Sequence, residues 1–255
     1  MTTRPLETLR ALAFGHAPQV LQGRGWALVA LAVVPAALGC LGQSLARQVD
    51  PRLALHLFHQ ALAPMILPIM ALAAAPGGIR EDLEQRTLPL VLVRPVPVWI
   101  LPLAKGLVWF AWGAVWLAVG ALGLLAVGDA PGAAALQALA LVLAFWAELA
   151  FMNLLGLLFQ RGTLWGAVTL FGWESLLRVL PANLQRFTFL HQIESIAGSR
   201  GGTVSGYEVL AQAQVSSPAW MAAMALVLFG ALCWALCGWK LQATPAGLAG
   251  REAEG

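Results

Sequence analysis

A carboxylate inside an otherwise apolar run is the first group in this chain that could do chemistry. Glu148 stands within 133–159, a run built mainly of Ala, Leu, Val and Phe, with Asn153 five residues on and Gln137 nearer its start. An ionisable group at bilayer depth costs about 2.5–3.5 kcal/mol on insertion scales, so it faces protein or a cavity. Two roles are open to Glu148: lining a transport path, or hydrogen-bonding a neighbouring helix. Glu174 and Arg178 are four residues apart and can pair on one helix face. That pair either steadies the end of its helix or contacts a substrate directly.

Other groups capable of chemistry lack companions. His56 and His59 are three apart, but a third and fourth metal ligand are missing around them, so they read as interfacial or structural histidines. Cys233 and Cys237 share one helix face without a nearby His or carboxylate and read as small packing residues; Cys40 stands alone. No metal site and no disulfide framework are expected. The phosphate-loop pattern G-x-x-x-x-G-K-[ST], the zinc pattern H-E-x-x-H and the nucleophile pattern G-x-S-x-G are all absent from the sequence. The chain is therefore not expected to hydrolyse ATP, or to act as an enzyme, by itself.

The elements that must position these residues are membrane helices. Of 255 residues, 60% are hydrophobic and only 11% charged, with mean hydropathy +0.77. A soluble domain carries roughly 25% charged residues. About 20 apolar residues cross a bilayer, and the long runs suggest six spans: 25–46, 56–78, 106–127, 133–159, 163–180 and 218–239. The expected architecture is all-α, a single transmembrane domain over 1–255. Span two carries Pro64, Pro68 and Pro76, which neighbouring helices can accommodate. In span three Gly106, Gly113 and Gly120 recur every seven residues on or near one face, where small residues let helices approach closely. Residues 1–24 contain Leu6, Leu9, Leu12 and Ala13, which can line one face of a short surface helix. The segment 181–217 contains Gly201-Gly202 and reads as external, and 241–255 reads as a polar tail.

Lys and Arg set the orientation. With both termini inside, Arg4, Arg10, Arg24, Arg80, Arg86, Arg94, Lys105, Arg161, Lys240 and Arg251 are cytoplasmic. Arg47, Arg52, Arg178, Arg186 and Arg200 are external, three of them in the longer segment where the positive-inside rule is weak. Lys105 then marks the cytoplasmic edge of span three. The net charge of +3 gives no reason to expect a nucleic-acid partner.

The one densely charged stretch between the apolar runs is 79–105. It holds Arg80, Glu81, Asp82, Glu84 and Arg86-Thr87-Leu88, then a short apolar piece, then Arg94-Pro95-Val96 and Lys105. The order and spacing resemble the cytoplasmic loop of ABC-2 type permeases, the membrane subunits of one class of ABC transporter. The chain departs from that pattern at Arg86, where the family has Gly, and at Pro97-Val98, where a polar-basic pair is common. A second stretch, Trp173-Glu174, Leu180-Pro181, Arg186 and His191, is similar to the end of the family's fifth span and the amphipathic external helix after it. The resemblance implies a permease that pairs as a homodimer, or with a second permease, above a separate ABC ATP-binding subunit. That subunit would carry ATP and Mg2+, and this chain would bind no cofactor. Arg80, Glu81, Asp82, Glu84, Arg86, Thr87 and Arg94 would couple to it, and the span-three glycines could pack at the dimer interface. The implied setting is a bacterial plasma or inner membrane. The implied activity is export of a hydrophobic, amphipathic or lipid-linked compound.

Two other classes fit the same composition. One is an ion-driven secondary transporter or channel with Glu148 as its coupling carboxylate. The other is a membrane-embedded enzyme or assembly factor using His56, His59 and His191.

Overall fold

The computed structural model describes residues 5–21, 23–45, 65–75, 99–127, 131–173, 176, 186–197 and 217–243. Among them the chain is helical with no strand. In chain order the helices are α1 (Pro5–Val20), α2 (Gly23–Leu45), α3 (Leu67–Ala74), α4 (Ile100–Val127), α5 (Pro131–Leu158) and α6 (Gly162–Ala167). A π-helix, Val168–Trp173, continues α6, and α7 (Phe189–Ala197) and α8 (Ala219–Ala243) follow.

Three of these are long and apolar enough to cross a membrane, over Ile100–Ala121, Ala135–Leu158 and Ala219–Ala243. At 1.5 Å per residue even the shortest, 22 residues, reaches about 33 Å, just beyond the hydrocarbon core. A fourth candidate is the pair Glu7–Val20 and Gly23–Leu38, bent by 77° at the break. The chain is thus a helical protein built for a membrane. Span two is described only through α3, and span five only through α6 and its π continuation.

α5 is the central helix and packs against α3, α4, α6, α7 and α8. Ala147, Glu148, Leu149 and Ala150 are consecutive and all buried, so this turn is surrounded on every side. Its many alanines let the neighbours come near. α8 is peripheral: 39% of its apolar window is buried, against 61% for α5. The outward faces of α8 hold Trp220, Leu228, Leu232 and Trp239, an apolar surface suited to lipid.

The helix directions follow from paired contacts. Gly113 and Phe110 of α4 meet Phe145 and Trp146 of α5, so these two helices run antiparallel. Trp112 of α4 donates to the Gly25 carbonyl of α2 at 3.0 Å, while Gly120 lies against Ala32 and Ala36. Both numbers rise together, so α2 and α4 run parallel.

Two expectations change in detail. The helix of span three begins at Ile100 rather than near 106, which places Lys105 within its second turn. Lys105 is buried, 3% exposed. It lies seven residues before Trp112, on the stripe of α4 that faces α2, and α1 also packs against α4. The last helix runs to Ala243, four residues past the expected end of span six and into the segment read as a tail. The expected N-terminal helix is present as α1, with Leu9, Leu12, Ala13, His16 and Ala17 half-buried along one face and Val20 buried at its end.

Candidate functional site

Glu148 and Asn153 sit one turn and a half apart in the enclosed part of α5, 1% and 5% exposed. Asn153 donates from Nδ2 to the carbonyl of Leu149 at 2.8 Å, so its amide is committed to its own helix. Burial on all sides directs Glu148 toward protein and away from lipid. Gln137, on the same helix, is also buried.

The three span-three glycines are brought into contact with three different helices of the same chain. A Cβ on Gly106 would strike the Trp234 ring of α8, and one on Gly113 would strike Phe145 of α5. One on Gly120 would lie 2.9 Å from the Ala32 carbonyl oxygen of α2. All three are buried inside the chain, where they let its own helices pack closely. At Gly106 and Gly113 the facing ring needs the space of the missing side chain, and at Gly120 the close approach of the α2 backbone needs it.

A concave feature lies beside α5. A cavity of about 460 Å³ opens between α5, the π-helix, the turn at 186–188, α7 and α8. Phe151, Leu170, Leu226 and Phe229 form apolar walls, and Arg186, Thr188 and Gln192 form the more polar side. Phe229 holds Phe151 and Phe189 at ring-centroid distances of 5.8 and 5.6 Å. Thr188 caps α7, its Oγ1 accepting the His191 N–H at 3.1 Å. Gln192 Nε2 donates to the Arg186 carbonyl at 2.6 Å and folds the turn onto the helix. His191 Nε2 is 3.4 Å from Ser217 Oγ, which ties α7 to the start of α8. Burial holds the imidazole below its usual pKa, and the Arg186 charge lowers it further. On the π-helix, Thr169 donates to the Trp165 and Gly166 carbonyls at 2.8 and 3.1 Å, taking up backbone acceptors where the helix widens.

Sequence reasoning missed this cavity. The rings of Phe151, Phe189 and Phe229 come from three separate helices, and no local pattern links them. Arg186 and His191 drew attention only as parts of a family-like stretch. Cys233 and Cys237 are buried in α8 as packing residues, and among the described residues no three metal-binding side chains come together. Arg80, Glu81, Asp82, Glu84, Arg86, Thr87, Arg94, Glu174 and Arg178, with His56 and His59, lie outside the described residues. Comparisons with models of known families, with curated proteins and with solved structures find no match for this chain.

Proposed function

We propose that this chain is the membrane-spanning permease subunit of an ABC-2 type exporter, moving a hydrophobic, amphipathic or lipid-linked compound. The observation that carries the reading is the charged stretch 79–105, with Glu84, Arg86-Thr87-Leu88, Arg94-Pro95-Val96 and Lys105 in the family's order. The fold supports it in one respect. Parallel α2 and α4 and antiparallel α4 and α5 are what six spans with both termini on the cytoplasmic side require of spans one, three and four. The chain would sit in a bacterial inner membrane as a homodimer or with a second permease. ATP and Mg2+ would be held by a separate ATPase subunit, whose closure would reach the spans through Arg80, Glu81, Asp82, Glu84, Arg86, Thr87 and Arg94.

The test is copurification. The tagged chain and the variant Glu81→Lys, Asp82→Lys, Glu84→Lys are isolated in mild detergent, and their companions are identified by mass spectrometry. The reading expects an ATP-binding subunit with the parent and its loss from the variant. A folded parent that brings down no ATPase overturns it.

A second reading is favoured by one observation, the enclosure of Glu148 at the centre of the bundle. It makes Glu148 the coupling carboxylate of an ion-driven transporter. Transport by a Glu148→Gln variant that stays dependent on ATP would remove it.

A further inference from the structure

We propose that the cavity between α5, the π-helix, α7 and α8 is a binding site for an anionic amphiphile, with the Arg186 guanidinium as the contact for its charged head. The inference deepens the exporter reading by naming a cargo class, and it rests on that reading for the use the site is put to.

Size and lining come first. A volume of about 460 Å³ lies within the roughly 300–1,000 Å³ range of small-molecule sites. Most of the wall is aromatic and aliphatic, so water inside it would find few partners and an apolar chain would lose none. The rings of Phe151, Phe189 and Phe229 brace one another across the space without closing it.

The polar groups then select the head. Thr169 is spent on two carbonyls of its own helix, Thr188 on the cap of α7, and the Nε2 of Gln192 on the Arg186 carbonyl, which leaves the buried Gln192 Oε1 as an acceptor for a protonated or hydroxyl-bearing part of the same head. Among the described lining residues the guanidinium of half-buried Arg186 is the one charged group, and none is a carboxylate. Arginine carries five donors and no acceptor, stays charged, and fits a carboxylate or phosphate with two parallel hydrogen bonds. An amphiphile with a cationic head is repelled, and a neutral one leaves the fork unanswered. Phe187, 74% exposed beside Arg186, offers an apolar edge where a chain would enter from the bilayer. The lining therefore asks for a negative head on an apolar tail. A single-chain carboxylate and the headgroup of an anionic bilayer lipid share that chemistry.

The test uses the full chain in nanodiscs of phosphatidylcholine, with dansyl-labelled undecanoic acid as the probe. Energy transfer from the tryptophans of the chain to the dansyl group is read against empty discs. The expected result is saturable transfer, with the methyl ester of the probe bound about tenfold or more weaker, as loss of a charge-assisted contact implies. Arg186→Gln should erase the difference between acid and ester and leave ester binding in place. Leu226→Trp, which fills the cavity, should weaken both; if that variant does not fold, Arg186→Gln alone decides. Transfer no greater than in empty discs, or a full acid preference in Arg186→Gln, overturns the proposal. Discs doped with phosphatidylglycerol separate the sources: displacement of the acid supports the site with a bilayer lipid as occupant, and no displacement supports it with a single-chain anion. The assay needs no ATPase. Failure of binding in a chain that copurifies with an ATPase therefore overturns the site alone, and binding in a chain that brings down none overturns the exporter reading alone.

Discussion

At Gly106 and Gly113 of α4 the rings of Trp234 and Phe145 lie against glycine; around the cavity between α5, α7 and α8 the rings of Phe151 and Phe189 lie against Phe229. At the first contact the backbones close onto the rings. At the second a cavity remains. The same residue type gives a filled seam or a hollow one according to its partner. A ring on glycine brings helices together and uses its whole face, whereas ring edges at van der Waals contact hold backbones apart. Filled space resists change, and hollow space is what a ligand can use.

The comparison can be broken most decisively at Gly113. Gly113→Leu drives a side chain into Phe145 and should cost about 3 kcal/mol or more, seen as a lost monodisperse peak or a large fall in thermal midpoint. Ala225→Leu, which adds three carbons at the cavity wall against four at Gly113, should stay within about 1 kcal/mol of the parent, in either direction. Equal damage from both substitutions would mean that the two regions are packed alike.

Within the enclosed turn of α5, Glu148→Ala removes a buried side chain and strands the groups around it. A loss of about 2–4 kcal/mol is expected, with Glu148→Gln costing less than half as much because shape and hydrogen bonding are largely kept. Thermal unfolding of the two purified variants checks this, and equal losses would show that the charge itself matters there.

Trp112→Phe sharpens the seam between α2 and α4. It keeps a ring but deletes the bond to the Gly25 carbonyl, for about 1 kcal/mol. An unchanged midpoint would show that the ring alone holds α2 in place.

The smallest effect is expected beside the cavity and depends on pH. His191 has its folded pKa held below the ordinary 6.5. On acidification the unfolded chain takes up the proton first, so the stability this imidazole supplies is present above about pH 6.5 and fades as pH falls toward the folded value. Thermal midpoints at pH 7.5, 6.5 and 5.5 should decline more in the parent than in His191→Gln. Identical slopes would remove His191 from the account.

How much of this was legible beforehand differs by residue. The heptad of glycines could be read as a close-packing stripe, because spacing alone puts Gly106, Gly113 and Gly120 on one face. Their partners could not, since Trp234, Phe145 and Ala32 come from three other helices. The burial of Lys105 was not legible for a related reason. A positive charge after a proline-rich break reads as a span edge, and the packing of α1 and α2 against α4 is a tertiary fact. Glu148 was legible as an enclosed carboxylate, because nothing else is affordable at that depth. The cavity was not, because Phe151, Phe189 and Phe229 share no local pattern.

By itself, then, the sequence determined that this is a helical protein for a membrane, that an ionisable group lies within it, and where glycine relieves crowding. Those properties follow from composition and from period along one helix, which are local quantities. Only the tertiary structure decided which ring meets which glycine, that Lys105 is covered, and that Arg186 stands over an apolar hollow. Those depend on distances between segments far apart in the chain, set when the helices pack and each side chain takes whatever room its neighbours leave.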